Sequence, residues 1–467
     1  MTRIVLTGFR GSGKTTVGKL LSLKLNLPFI DTDTLIEEER GMSVSDIFEE
    51  FGEEDFRLTE SSVISELPPG DCILSTGGGV ILDHENVRVL RENSLVFFLN
   101  ITPEESVRRI TGSERPPLTS LPLDHEVAVI MKDRMPAYLR SSDFCIDGER
   151  GPEKVSDEIA GIVESGDLTT QGRELLQKFF KNSMMPSEAE RILALDAVGE
   201  RKAFNLCAIS GNPCMHSKSP AIYRKIFENY GISGFYTYME AADFGEIIRT
   251  AEISGMRGLS ITIPFKEDAV DFMSEISPDA AAIGAVNTAV NFCGRFYGFN
   301  TDWIGIAEPL KSSFKNAGES IKGKSAVVVG AGGAARAAVY ALIVLGFDVT
   351  VLNRNEKKAA ELAESFECRS GGLNEIHSCV FDVIINATPV GMNRSGGSVV
   401  PESVLREGMR VFDLVYTPAD TKLLKMAEKK GCIPISGTEM FVHQAVEQFF
   451  LMFGFRPEEE FIREAML

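Results

Sequence analysis

Two short glycine-rich turns, each set between an apolar run and a helix-forming stretch, limit what this chain can fold into. The first, GFRGSGKTT at residues 8–16, follows Ile4-Val5-Leu6 and leads into the helix-like stretch 17–25. The second, GAGGAARA at residues 330–337, follows Ala326-Val327-Val328-Val329. A strand that passes through glycines into a helix is the repeating unit of parallel α/β sheets, and it leaves a row of backbone N–H groups suited to an anion. Further strand-like runs at 72–75 and 95–99 alternate with helix-like stretches in the same way. The expected fold class is therefore α/β, with a parallel sheet carrying helices on both faces and a second α/β unit around the later turn.

At 467 residues the chain exceeds one ordinary core, so two or three domains are expected. The pattern fades near residue 165, and residues 166–202 are mostly polar, with an amphipathic patch at 175–180 and a break at Pro186. The division read from this is a domain at 1–165, a linker with one or two short helices at 166–202, and a module at 203–467. A net charge of −19 gives no general attraction to nucleic acid or acidic membrane, so anionic ligands must be held by local Arg, Lys and backbone N–H groups. Eight cysteines without a CxxC pair or zinc-type spacing fit reduced thiols in a cytoplasm. The window 326–346 is broken by Arg336 and rich in glycine, which predicts a strand and a buried helix rather than a membrane span.

GFRGSGKT fits G-x-x-x-x-G-K-[ST] in the strand-to-helix context that a phosphate-binding loop requires. Gly11, Ser12, Gly13, Lys14, Thr15 and Thr16 would cradle the phosphates of ATP, with the Lys14 ammonium at the β/γ-phosphates and the Thr15 hydroxyl on Mg²⁺. The segments that follow (FIDTDTLIEEERGMSVSDIFEEFGEEDFRLTE, STGGG at 75–79, ERPPL and DRMPAY) resemble shikimate kinase along nearly all of residues 1–165. That resemblance implies that Asp33 holds and polarises the 3-hydroxyl of shikimate, Asp31 supports Mg²⁺, and Arg57 with Arg134 clamps the carboxylate. It also implies that Gly78 and Gly79 let the ring approach the backbone, and that Arg115 reaches the phosphates from a mobile lid. The chemistry is coherent on its own terms, because phosphoryl transfer needs positioning and charge neutralisation, and planar guanidinium forks suit a carboxylate. Singly, Arg57 or Arg134 reads as a solvated or helix-end residue, and Asp31 reads equally as the cap of the next helix.

The later turn places Gly330, Ala331, Gly332, Gly333 and Ala334 where a dinucleotide pyrophosphate would meet a helix N-terminus. At the end of the next strand-like run, VTVLNRN carries Asn353 and Arg354; an arginine there accommodates a 2′-phosphate, which predicts NADPH rather than NADH. Around it, GNPCMHSKSP, ITIPFKE, IGAVNT, GFNTD, NATPVGM, DLVYTP and GTEMFVHQA resemble shikimate dehydrogenase from about residue 203 onward. The resemblance implies a two-lobed dehydrogenase, with one lobe at 203–303 and 440–467 and a nucleotide-binding lobe at 304–439, in which Ser217 and Ser219 bind the shikimate carboxylate. Thr262, Asn287 and Gln444 would bind its ring substituents, Tyr416 lies close by, and Leu414 and Gly437 lie on the cofactor side. Lys266 and Asp302 would form the acid/base pair: reducing a ketone leaves an alkoxide in need of a proton, and an ammonium held by a carboxylate can polarise and donate. An isolated Lys and Asp so far apart in sequence would otherwise read as a surface ion pair.

Two residues depart from or distract from this reading. Ser260 stands where many relatives carry Asn, which shortens the reach of that side chain toward substrate and leaves shikimate against quinate open. His216, between serines, is read as a structural loop residue. Together the halves imply reduction of 3-dehydroshikimate with NADPH and 3-O-phosphorylation of the product with ATP·Mg²⁺, both on small molecules. Two alternatives remain on the residues alone: a kinase for another small polyol or acid fused to a quinate-type dehydrogenase, or a nucleotide-sensing regulator.

Overall fold

The computed structural model describes residues 3–111, 119, 121–165, 205–392 and 397–466, so the expected linker at 166–202 lies outside the described residues. The first sheet is wholly parallel, in the order β2-β3-β1-β4-β5: β1 Arg3–Thr7, β2 Phe29–Asp31, β3 Ile73–Ser75, β4 Ser94–Asn100 and β5 Phe144–Asp147. Its helices are α1 Lys14–Leu25, α2 Thr32–Arg40, α3 Val44–Ser65, α4 His84–Arg91, α5 Pro103–Ile110, α6 Leu123–Ser141 and α7 Pro152–Ser165. Successive β1 side chains serve opposite faces. Ile4 and Leu6 join a cluster with Leu21 of α1 and Ile159 of α7, while Val5 joins one with Val87 of α4 and Tyr138 of α6. Burial on both faces is why β1 and β4 read as unbroken apolar runs.

The second sheet runs β7-β6-β8-β10-β11-β9, with β6 Asn205–Ser210, β7 Gly234–Met239, β8 Gly258–Ile261, β9 Glu275–Ile276, β10 Thr288–Phe292 and β11 Arg295–Phe299. It is mixed, since β10 is antiparallel to both β8 and β11. Its helices are α8 Ser219–Asn229, α9 Phe244–Ile253 and α10 Pro278–Ile283. Helix α11, Asp302–Asn316, leads to the third sheet: β12 Ser325–Val329, β13 Asp348–Asn353, β14 Arg369–Gly372, β15 Val383–Asn386, β16 Arg410–Asp413 and β17 Ile433–Ser436. That sheet is all parallel, in the order β14-β13-β12-β15-β16-β17, the doubly wound order of dinucleotide-binding folds. Helices α12 Gly333–Leu345, α13 Glu356–Ser365 and α14 Lys422–Lys429 accompany it. The window 326–346 is thus a strand and a buried helix, and no helix among the described residues is long and apolar enough to cross a membrane. Helix α15, Gly437–Phe453, returns to the second sheet, and α16, Glu459–Met466, follows. Helices α11 and α15 approach so closely that a Cβ on Gly305 would lie 2.5 Å from the Met440 carbonyl oxygen.

The first two sheets share one apolar cluster, which runs from Val5, Val96 and Tyr138 through Cys207 and Tyr236 to Phe449 and Phe453. At its edge the guanidinium groups of Arg91 and Arg257 both lie against the Phe453 ring, each 5.2 Å from the centroid. Phe450 receives Arg140 at 4.9 Å and Arg456 at 4.0 Å. A desolvated cation over a ring face contributes about 2 kcal/mol or more. Beside this joint, Cys145 on β5 is disulfide-bonded to Cys293 at the β10–β11 turn, with a Cα–Cα distance of 5.4 Å. This corrects the expectation of eight reduced thiols, of which six are free. No spacing rule announces a pair 148 residues apart, whose members meet only because the two sheets dock.

A non-reducing peptide map is expected to contain a cross-linked peptide holding Cys145 and Cys293 that separates on reduction. Alkylation of both as free thiols in the unreduced native protein would contradict the pairing.

Candidate active sites

The first glycine turn leaves the C-terminal end of β1. Gly11 and Gly13 have φ of 82° and 92°, in the left-handed region where a side chain is disfavoured, and Gly13 caps α1. The turn is tightly enclosed: a Cβ on Gly11 would lie 2.9 Å from Ile110 Cγ2. The Lys14 ammonium donates to the carbonyls of Gly8 at 2.7 Å and Phe9 at 3.1 Å, so it lies within the loop whose amides it would complement. The Thr15 hydroxyl donates to Asp31 Oδ2 at 2.9 Å, and Asp31 Oδ1 accepts from the Asp33 amide at 3.2 Å. Asp31 therefore caps α2 and also faces Thr15. Two adjacent oxygens of this kind fit a hard divalent cation that keeps most of its water.

Two cavities meet here. One, of about 550 Å³, is lined by the glycine turn together with Asp33, Arg108 and Arg109. The other, of about 360 Å³, is lined by Asp33, Arg57, Glu60, Gly79 and Arg134 among others. Asp33 lines both, which puts its carboxylate at the passage between them. Arg57 and Arg134 share the smaller cavity as the sequence led one to expect, whereas Arg115 lies outside the described residues.

Gly78 and Gly79 play different parts. The Gly78 carbonyl accepts from Tyr138 Oη at 2.5 Å and from Arg134 Nη1 at 3.2 Å. At Gly79 a Cβ would fall 2.2 Å from Arg57 Nη2, so the guanidinium occupies the space that the missing side chain leaves. Two participants were not anticipated. Glu60, 1% exposed, pairs with Arg57 Nη1 at 2.7 Å; burial, with the Asp33 charge added, raises its pKa although Arg57 opposes the shift. Arg109 donates to the carbonyls of Gly11 at 3.3 Å and Gly148 at 3.0 Å along the larger cavity. Glu60 follows Arg57 by three residues on α3, a helical pair spacing that a sequence search could have used.

The second site lies where α11 leaves the second sheet. Lys266, in the turn after β8, meets Asp302 with its Nζ 2.5 Å from Oδ2; the side chains are 19% and 6% exposed. Asp302 opens α11, where the helix dipole favours a carboxylate, and its Oδ1 accepts from Asn287 Nδ2 at 2.9 Å. Asn287 Nδ2 also donates to Thr301 Oγ1 at 2.9 Å, and the Thr301 amide returns a bond to Asn287 Oδ1 at 2.8 Å. Thr301 Oγ1 in turn approaches Gln444 Oε1 at 3.4 Å. Lys266, Asp302, Asn287 and Gln444 thus form one connected group.

Ser217 Oγ donates to Ser219 Oγ at 3.1 Å, and Tyr238 Oη donates to the Ser217 carbonyl at 3.1 Å. The neighbouring His216 is exposed. Thr262 is held through its amide on the Ser210 carbonyl at 2.9 Å, and the Tyr416 ring packs on Phe441 at 5.2 Å. Ser260 differs from expectation: 5% exposed, it donates to Gln448 Oε1 and accepts from Tyr236 Oη, both at 2.5 Å. Gln448 Nε2 goes on to Thr288 Oγ1 at 2.9 Å and the Asn287 carbonyl at 3.3 Å. Ser260 therefore supports the Asn287 backbone through Gln448, a residue hidden in the run AVEQFFLMF.

The dinucleotide turn opens beside this group. Gly330 has φ of 125°, and a Cβ there would lie 3.0 Å from the Ala387 carbonyl oxygen. Among the described residues no side chain or distant backbone crowds Gly332, and a Cβ on Gly333 would lie 3.9 Å from Lys266 Cδ. Ala331 and Ala334 complete the turn into α12, a free N-terminus that fits a pyrophosphate. Asn353 ends β13, and Arg354 beyond it is exposed. On the far side a Cβ on Gly437 would lie 2.7 Å from the Leu414 carbonyl carbon, so these two backbones are in contact.

Comparison with known proteins gives matches over both halves. Residues 10–164 match the family model for shikimate kinase. Residues 209–289 match the shikimate dehydrogenase substrate binding domain, 312–414 shikimate / quinate 5-dehydrogenase, and 437–467 the shikimate 5'-dehydrogenase C-terminal domain. The shikimate dehydrogenase (NADP(+)) of Pyrococcus abyssi is 38% identical over 259 residues, covering 55% of this chain and 95% of the relative. Among solved structures, the Thermus thermophilus shikimate 5-dehydrogenase in complex with NADP(H) and shikimate is 34% identical, with a TM-score of 0.51 over 56% of this chain and 98% of that one. A quinate dehydrogenase from Corynebacterium glutamicum in complex with NAD is 30% identical, with a TM-score of 0.52 over 56% of this chain and 97% of that one.

Gly79→Ala is expected to displace Arg57 and raise the half-saturating concentration of the acid acceptor in phosphoryl transfer about tenfold, or about 1.4 kcal/mol. Hydride transfer in the same preparation should not change. Unaltered acceptor saturation would show that Arg57 has room to spare.

Proposed function

The chain belongs to the shikimate dehydrogenase family and carries a shikimate kinase domain ahead of it, and from that premise we propose how its residues carry out the two reactions. The chain is a bifunctional enzyme: it reduces 3-dehydroshikimate to shikimate and phosphorylates shikimate on its 3-hydroxyl. The proposed division is a kinase at 1–165, a linker at 166–202 and a dehydrogenase at 203–467, with residues 203–303 and 440–467 holding substrate and 304–439 holding NADPH.

For reduction, the observation that carries the assignment is the Lys266–Asp302 contact beside the dinucleotide turn. When bound, NADPH supplies the hydride. Ser217 and Ser219 hold the carboxylate with neutral hydroxyls, and Thr262, Asn287, Gln444 and Tyr416 fix the ring. The Lys266 ammonium polarises the 3-keto oxygen and delivers the proton that the new alkoxide needs, while Asp302, anchored by Asn287, holds the ammonium in place. Leu414 and Gly437 border the cofactor, and Arg354 with Asn353 is placed for the 2′-phosphate; an exposed cation suits a ligand that brings its own charge.

For phosphorylation, the deciding observation is that Asp33 lines both cavities. ATP lies along Gly11 to Thr16 with Lys14 at the transferring phosphoryl, and shikimate lies in the smaller cavity with its carboxylate between Arg57 and Arg134. Asp33 accepts the hydrogen of the attacking hydroxyl, and Arg115 completes charge neutralisation. When bound, Mg²⁺ near Thr15 and Asp31 offsets the charge of the phosphate oxygens. The described residues hold no group of three or more His, Cys, Asp or Glu side chains placed to bind a metal ion. The protein is proposed to be cytoplasmic.

Supplied with 3-dehydroshikimate, NADPH and ATP·Mg²⁺, the purified protein is expected to produce shikimate 3-phosphate, detected by mass. Lys266→Ala should lower NADPH oxidation by about 10²-fold or more, with ATP-dependent phosphorylation of added shikimate retained. Asp33→Asn should do the reverse. Loss of both activities in either variant would contradict independent sites.

A further inference from the structure

We infer that Arg257, in the dehydrogenase half, is a positioning residue for phosphoryl transfer in the kinase half, because it fixes the end of the helix that presents Arg134 to the acceptor cavity and sets Tyr138 behind the Gly78 carbonyl in its wall. The inference rests on the reading of that cavity as the shikimate site. The last carbonyls of a helix have no intrahelical partner and need one from outside. At the end of α6, Arg257 Nη2 donates to the Arg140 carbonyl at 2.8 Å and Nη1 to the Ser142 carbonyl at 2.5 Å. The intervening Ser141 carbonyl accepts from Arg91 Nη1 at 2.7 Å. Three consecutive carbonyls are thus held by two guanidinium groups, one from each half of the chain, and both lie against the Phe453 ring.

Arg257 is itself firmly placed. It is 8% exposed, and its Nε donates to the Met452 carbonyl at 2.5 Å, on the same α15 that carries Gln444 to the dehydrogenase pocket. A rigid planar fork can span two carbonyls at once, and a cation at a helix C-terminus is favoured by the dipole. Helix α6 needs this support because Pro136 interrupts its own hydrogen-bond ladder one turn before the end. Tyr138 and Arg134 lie two and six residues before Arg140, roughly 3 and 9 Å along the axis, and both bond the Gly78 carbonyl in the cavity wall. A shift of the α6 terminus therefore reaches the carboxylate clamp before it reaches the phosphate-binding loop, which stands on α1.

The test compares Arg257→Met with the wild-type full-length chain in both assays. The expected result is a KM for shikimate in the kinase reaction raised about fivefold or more, from loss of orientation at the acceptor. The KM for ATP and the kcat/KM for 3-dehydroshikimate reduction should stay within about twofold. Arg257→Lys, which keeps the charge but cannot fork across both carbonyls, should fall between the two, and it carries the comparison alone if the Met variant does not fold. An unchanged shikimate KM, or a parallel loss in shikimate KM, ATP KM and dehydrogenase activity, would overturn the positioning role. A wild-type chain that phosphorylates no shikimate would overturn the kinase reading, and the inference with it.

Discussion

A parallel strand cannot turn straight back, so each one hands the chain to a helix, and the first turn of that helix holds backbone N–H groups with no partner inside it. This constraint shapes both halves of the molecule. After β1 the unpaired groups are gathered by a glycine turn around Lys14, and after β12 they are left open beside Lys266. The chain has an excess of acidic residues and must still bind two polyanionic nucleotides, so these helix ends supply the local positive field that its overall charge does not.

The two pockets treat one small acid in physically different ways. In the kinase half three arginines, Arg10, Arg57 and Arg134, line the acceptor cavity, and Glu53 and Glu60 hold Arg57 there. The positive charge proposed to clamp the substrate would also serve a site through which phosphate passes. In the dehydrogenase half the proposed carboxylate contacts are serine hydroxyls, and the Lys266 ammonium is proposed to serve the ketone instead.

Motifs made much of this legible in the sequence, because chemistry that depends on a backbone turn fixes residue types at fixed offsets. Lys14 and Thr15 were readable for that reason, Lys266 and Asp302 only through the family resemblance of the motifs around them, and the strand at 3–7 for its unbroken apolar run. Residues that act through tertiary contact were not. Glu60 resembles any acid on an exposed helix until Gly77 and Asp33 are seen against it, and Gln448 resembles an ordinary polar residue until Ser260 and Thr288 are found on either side. Ser260 reads in the sequence as a shorter-reaching replacement for an Asn, with consequences for substrate preference, yet alternation along β8 turns it to Tyr236 and the core. The Cys145–Cys293 pair belongs to the same class, since neither partner lies in a pattern that mentions the other.

The apolar cluster shared by the first two sheets has a consequence for the fused gene product. Making the two halves as separate polypeptides would not give two finished globules: each would expose part of what is now interior, with Phe450 and Phe453 on one and the end of α6 without Arg257 on the other. The fusion is thus more than a tether, and ancestors encoded as separate polypeptides would have needed more polar surfaces at these places to stay soluble.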